Sequence, residues 1–310
     1  MKIAYRHLVQ HIEESPSIEH ISNKLFQLGH EHEIDGDILD MEFTPNRGDC
    51  LSINGLLRDL AVFYTVKINQ EIYTEKLNEL QLDFENLSES TCPKISFLKL
   101  EIDQIPETYK NSLDNYFSDL GLNKNNFFTD VSNYLSYETG QPTHCYDASS
   151  MSGKLLFHEI EKNEEFETLL DKKITLTGKN SVFSLNSEVI NLAGVVGGKN
   201  TSCSTDTKTV IVECAFFQPE AIIGKSVKYD IQSEASHKFE RGVDPECHDK
   251  VLRRFIKLVS DHANIKDISI MSYKSKDNPI HQIPVNFKKI NKIIGINISE
   301  KEYLNYLSKL

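Results

Sequence analysis

The sequence predicts an α+β fold, with a small N-terminal αβ domain followed by a mixed α+β domain. Two patterns predict it. Near the start, apolar residues at helical spacing (Ile18, Ile21, Leu25, Leu28) precede a strand-like run at 38–43. Farther along, short helical stretches at 111–120, 220–225 and 249–264 are interspersed with strand-like runs at 154–160, 189–196 and 210–214.

At 310 residues the chain has room for roughly two domains with cores of ordinary size. Its 39% hydrophobic and 26% charged residues exclude a disordered or fibrous chain. A net charge of −12 argues against coating nucleic acid through a broad basic face. It leaves room for a pocket that takes only the end of an RNA, since such a pocket needs few phosphate contacts. The six cysteines never reach C-x-x-C spacing, which argues against a zinc ribbon or a thioredoxin-type site and for reduced thiols in a cytoplasmic protein. Charges in the first residues and the lack of a long apolar run predict neither signal peptide nor membrane span.

The elements follow in order. After the first strand, E-F-T-P-N-R-G-D-C-L-S at 42–52 reads as strand, turn and helix start, with Asn46, Arg47 and Asp49 holding backbone or a neighbouring chain. The next helix carries a core-facing stripe of Leu56, Leu57, Leu60, Ala61 and Tyr64. These segments make an N-terminal domain over 1–74. Residues 75–91, rich in Glu, Asn, Leu and Ser without a strand pattern, read as a linker to a second domain over 92–275. A following, truncated domain is expected over 276–310, where Ser299 caps a terminal helix. Within the second domain, S-E-A-S-H-K-F-E-R-G-V-D-P at 233–245 is a short helix: Ser233 caps it, Glu234 complements its dipole, and Gly242 and Pro245 end it.

That last segment resembles a signature of bacterial-type phenylalanyl-tRNA synthetase beta subunits, and three other blocks agree. Residues 42–52 resemble the family's T-P-N-R-x-D-C-L-S. D-V-S-N-Y at 130–134 and G-Q-P-T-H-C-Y-D at 140–147 resemble the D-V-T-N-Y and G-Q-P-x-H-x-F-D elements of its editing domain. L-A-G-V-V-G-G at 192–198, followed by V-E-C-A-F-F-Q-P at 212–219, is the last. A phosphate loop is rejected for those glycines, because Lys199 is followed by Asn200 rather than Ser or Thr.

The resemblance implies the N-terminal portion of the subunit, including the domain that edits Tyr-tRNA(Phe). An apolar site for phenylalanine rejects an isostere with one extra hydroxyl by only about a hundredfold, so a second site that rewards the hydroxyl is needed. On this reading Glu234 accepts a hydrogen bond from the substrate phenol, Ala215 walls the pocket, and Gly194 lets backbone approach the ligand. His144, Ser132 and Asn133 orient the terminal adenosine and the ester, which a positioned water hydrolyses. No Ser-His-Asp or Cys-His set is legible. The resemblance implies no metal or cofactor on this portion; magnesium and ATP belong to the complete synthetase, whose aminoacylation takes place in the alpha subunit. Its implied partners are that alpha subunit, in a heterotetramer of two alpha and two beta chains, and tRNA(Phe).

The chain departs from the family in several places. No room exists at 28–38 for an oligonucleotide-fold tRNA-binding insert. Asn123 and Gln232 stand at positions where arginine is usual, removing two cations suited to an RNA end. These departures open a second function, a structural scaffold whose editing pocket is disabled.

Overall fold

The computed structural model describes residues 1–275 and 282–309 and divides into two compact units. The smaller draws on Met1–Glu42 and Asn54–Asn69 together with the C-terminal helices. In it β1 (Lys2–Ala4) leads into α1 (Tyr5–Val9) and α2 (Ile18–Gln27), followed by a hairpin of β2 (Glu31–Asp35) and β3 (Ile38–Glu42) and by α3 (Ile53–Leu60). The Ser17 hydroxyl caps α2 by accepting from the His20 N–H. Ile21 and Leu25 of α2 are fully buried, as are Leu39 of β3 and Leu56, Leu57 and Leu60 of α3. The strands form an antiparallel sheet in the order β1-β3-β2, and only Gly36 and Asp37 separate β2 from β3. The short connection expected at 28–38 is therefore a tight hairpin. The helical stripe expected through Tyr64 stops at Leu60, and the chain continues in turns.

The larger unit takes Phe43–Ile53 and the chain from Gln70 through residue 275. It begins with β4 (Asn78–Glu79), β5 (Phe84–Asn86) and β6 (Lys94–Ile102), then α4 (Asn111–Leu120), α5 (Phe127–Thr139) and β7 (Thr143–Asp147). A run of strands follows: β8 (Leu155–Ile160), β9 (Glu164–Glu167), β10 (Lys173–Leu176), β11 (Asn180–Leu185), β12 (Glu188–Leu192), β13 (Val196–Gly197) and β14 (Thr209–Phe216). Helices α6 (Pro219–Ile222), α7 (Lys225–Tyr229), α8 (Glu234–Phe239) and α9 (His248–Ser260) precede the final strand β15 (Ile265–Lys274).

Two five-stranded sheets result, ordered β4-β15-β6-β14-β7 and β13-β12-β11-β8-β5, with β9 and β10 as a separate ribbon. Alternation along each strand decides what faces what. Ile95 and Phe97 of β6, Tyr146 of β7 and Ala215 of β14 share one core with Phe157 of β8 and Phe183 of β11. Phe157 lies 5.1 Å from Phe183 and 5.8 Å from Phe217, ring centre to ring centre. Each such fully buried aromatic side chain contributes about 1.5–3 kcal/mol through removal from water. The first sheet's other face is covered by α5 and α9, so β6 and β14 are buried on both sides. Arg254 of α9 ties the helices together through two 2.8 Å hydrogen bonds to Glu138 of α5, whose Oε1 also accepts from Tyr134 at 2.6 Å. At the end of α5, the buried Lys238 ammonium donates to the Ser136 carbonyl at 2.7 Å and to its hydroxyl at 2.9 Å.

Three sequence expectations need correction. The linker at 75–91 is not free chain: β4 pairs in parallel with β15 and β5 in parallel with β8, one in each sheet. These edge strands are too short to show alternation, which is why the segment lacks a strand pattern. The helix expected at 220–225 is two helices, α6 and α7, broken at Gly224. The strand expected at 189–196 is two strands turning at Gly194, whose φ is +70° and at which a Cβ would lie 2.7 Å from the Ile222 side chain. The expected domain boundary at 275/276 adjoins residues 276–281, which lie outside the described residues. Beyond them, α10 (Phe287–Ile294) and α11 (Glu300–Leu307) form, and Ser299 and Glu302 make a full capping box at the start of α11.

Removing the Arg254 guanidinium strands a buried carboxylate. Arg254→Ala is expected to lower the unfolding free energy by about 3–5 kcal/mol in a denaturant titration.

Candidate active site

The candidate site begins with strand pairing. β14 is flanked by β6 and β7, and Glu213 is the register partner of both Phe97 and His144. Cross-strand neighbours on one face sit about 4.5–5.5 Å apart at Cβ, so Glu213, His144 and, two residues along each strand, Ala215 and Tyr146 share the face that meets the second sheet. Glu213 is 4% exposed in an otherwise apolar strand. Its carboxyl accepts a 2.6 Å hydrogen bond from the Tyr146 phenol. Asn191, from β12 of the facing sheet, donates to the same phenol oxygen at 2.7 Å and reaches the carboxyl at 3.5 Å. Burial pushes the Glu213 carboxyl up to about 8, so it is largely protonated at neutral pH.

His144 stands at the edge of this network, its ring 4.4 Å from that of Tyr146 and nearly perpendicular to it. Burial pulls its imidazole down to about 4, so it is uncharged at neutral pH. Its Nε2 is buried without a hydrogen-bond partner among the described residues. Gly197 closes over the ring: a Cβ there would lie 2.2 Å from Cε1 and 2.5 Å from Nε2. The 194–198 turn is held in turn by α8, because the Ser233 hydroxyl donates to the Val195 carbonyl at 2.8 Å. A cavity of about 330 Å³ opens between the β9–β10 ribbon and β12, lined by Phe166, Val189, Gly198 and Thr201 among others, and does not include His144, Tyr146 or Glu213.

The six residues singled out from sequence separate. His144 and Ala215 share the inner sheet face, and Gly194 shapes the turn that brings Gly197 onto His144. Ser132, on α5, meets the opposite side of β7: its hydroxyl donates to the Thr143 carbonyl at 2.8 Å and pairs with the Thr143 hydroxyl at 2.7 Å. Cys145 faces the same way, its thiol donating to the Phe128 carbonyl of α5 at 3.5 Å, and burial pushes that thiol well up. Asn133 is exposed on α5. Glu234 is exposed in the first turn of α8, with its charge felt by Tyr116 and Lys238 rather than by His144. The buried carboxyl of the site is Glu213, a residue missed in the sequence together with Tyr146, Asn191 and Gly197. One signal was present: a lone carboxylate inside the apolar run V-I-V-E-C-A-F-F demands a partner.

Residues 99–264, which include every residue of this site, match the B3/4 domain family model. The chain belongs to the B3/4 domain family. Its B3/4 domain is therefore the larger unit from β6 to α9. Over a longer stretch that includes this domain, 288 residues are 30% identical to the Phenylalanine--tRNA ligase beta subunit of Psychrobacter arcticus, covering 89% of this chain and 35% of that protein. The subunit of the same name from Fusobacterium nucleatum is 30% identical over 283 residues, or 88% of this chain and 35% of its own length. The chain thus spans about a third of the length of the curated relatives it matches. Among solved structures, an N-terminal fragment of the phenylalanyl-tRNA synthetase beta subunit from Pyrococcus horikoshii aligns with a TM-score of 0.47 and 13% identity, covering 100% of this chain and 88% of that one. Among the described residues no helix is long and apolar enough to cross a membrane.

The raised Glu213 carboxyl ties stability to pH with a definite sign. The folded state keeps a proton that the unfolded chain loses near pH 4.5, so this contribution is complete below about 4.5 and is lost as pH rises through about 8. Glu213→Gln is expected to abolish that decline, at most about 1.4 kcal/mol per pH unit, in thermal unfolding scans across this window.

Proposed function

We propose that this chain is the editing part of a phenylalanine--tRNA ligase beta subunit, hydrolysing the ester of Tyr-tRNA(Phe) in the cytoplasm. One observation carries the reading: the uncharged His144 imidazole, with an unpartnered Nε2, sits cross-strand from a buried carboxyl in a B3/4 domain whose relatives bear that name. A neutral imidazole can orient a water or the ester without the cost of a buried charge. Cys145 turns its thiol toward α5 and keeps it protonated, so the reading routes hydrolysis through water rather than an acyl-enzyme. The excess of negative charge fits a site that receives the RNA terminus alone, with the alpha subunit, in a two-alpha, two-beta assembly, and other beta residues supplying further contacts to tRNA(Phe).

Glu234 is kept as the proposed acceptor for the substrate phenol, since its exposed carboxylate at the start of α8 is open to a ligand. The same carboxylate complements the helix dipole, so its loss is expected to change the fold little.

The test is deacylation of preformed Tyr-tRNA(Phe) by the chain, alone and assembled with its alpha subunit, with Phe-tRNA(Phe) as control. Faster loss of the tyrosyl ester is expected, reduced on the order of a hundredfold by His144→Ala and made less selective for the tyrosyl ester by Glu234→Ala. An assembly that leaves the tyrosyl ester intact would refute the hydrolytic reading.

A further inference from the structure

Four lysines gather around the turn at 177–179 between β10 and β11, in a chain whose net charge is −12. Lys225 and Lys228 of α7 donate to the Lys179 and Thr177 carbonyls of that turn, Lys179 belongs to it, and Lys172 donates to the Tyr229 carbonyl at the end of α7. The neighbouring carboxylates are already engaged. Asp230 pairs with Lys172 at 2.7 Å, Glu159 with Lys179 at 2.9 Å, and Glu240 accepts from the Gly224 N–H at 3.2 Å. Lys225 and Lys228 are held by carbonyls alone, and these lie two residues apart, at most about 7 Å of extended backbone. Burial, and then the charge of Lys228, push the Lys225 ammonium down, as crowding of like charges requires.

The helix that carries this pair is tied to the candidate site. The Ser226 hydroxyl of α7 donates to the Ser236 hydroxyl of α8 at 2.7 Å, Ser236 lies 3.0 Å from the Ser233 hydroxyl, and Ser233 donates to the Val195 carbonyl in the turn that brings Gly197 onto His144. Ile222 of α6 packs against Gly194 of the same turn. We propose that Lys225 and Lys228 are a phosphate-binding pair for the single-stranded 3′ end of the RNA whose ester lies at His144. The inference rests on the hydrolytic reading above and deepens it by assigning the residues that hold the RNA backbone. An ammonium carries three donors; one goes to a turn carbonyl here, which fixes the group in place and leaves two for phosphate oxygens. Contacts of this kind set the register of a strand without reading its bases. An anionic membrane fits less well, because lipid-binding segments carry about 4–8 unneutralised cations and two of these four lysines are already paired.

The affinity of the full chain, assembled with its alpha subunit, for uncharged tRNA(Phe) should be measured by fluorescence anisotropy over a series of salt concentrations. Lys225→Gln/Lys228→Gln removes both charges while keeping an amide donor for each turn carbonyl, and thermal unfolding verifies its folding. The slope of log K against log salt is expected to be shallower by about 1.4 in this variant, two single-strand phosphate contacts at about 0.7 each. Lys228→Gln alone, at an exposed position, should give about half that change and serves if the double variant does not fold. With tRNA(Phe) lacking its single-stranded 3′ end, wild type and variant should give the same slope. An unchanged slope on intact tRNA overturns the proposal, as does an equal change on the shortened RNA. Lys154→Gln, at a lysine paired with Glu85, is the control, and a matching change per charge there reports net charge rather than a site and also overturns it. Binding needs no chemistry, so the two readings fail separately. The expected slope change in an assembly that leaves the tyrosyl ester intact supports the lysine pair and removes the hydrolytic reading; hydrolysis with an unchanged slope does the reverse.

Discussion

A carboxyl group enclosed between two sheets has to be neutralised or hydrogen-bonded, and the larger unit is organised around how Glu213 meets that demand. A bare carboxylate there would cost several kcal/mol. The protein holds the proton on the carboxyl and supplies Tyr146 from the neighbouring strand and Asn191 from the facing sheet. This fixes more than one side chain. Asn191 must come from β12 at the right height, and β12 must then turn sharply so that β13 can return along it. Gly194 makes the turn, Gly197 fits over His144, and Ser233 at the start of α8 anchors the turn from outside. The polar network thus sets the register between the layers, while Phe157, Phe183 and Phe217 are among the fully buried apolar side chains that hold them together.

Most of the fold was legible where periodicity was strong. Ile18 to Leu28 and the 111–120 segment became helices, and the runs at 154–160 and 210–214 became strands, because in each the apolar spacing matches a single period over two turns or several residues. It was misleading where an element was short or composite. The edge strands at 78–79 and 84–86 are made by pairing with β15 and β8, partners that lie far away in sequence and leave no local trace.

The site was legible in part, for a different reason. Its motifs were readable as blocks, but a block does not tell which of its polar residues points inward. Thr143 and Cys145 point from β7 toward α5, where Ser132 meets Thr143, while His144 and Tyr146 point toward the other sheet, a distinction fixed by the two-residue alternation of the strand once its pairing is known. Glu234 came forward through the motif block at 233–245 that carries the resemblance, and it is exposed at the start of α8. Glu213 was hidden in an apolar strand, where the anomaly was the residue type rather than the pattern.

The edge strands β4 and β5 carry a practical consequence. Each completes one side of a different sheet, so the stretch 75–91 serves both layers at once. Dividing the chain at residue 92, as its composition invites, would expose the backbone N–H and C=O groups of β15 on one sheet and of β8 on the other. Two open edges on a single small domain are templates for strand addition between molecules, and a fragment cut there would be prone to self-association even with its core residues intact.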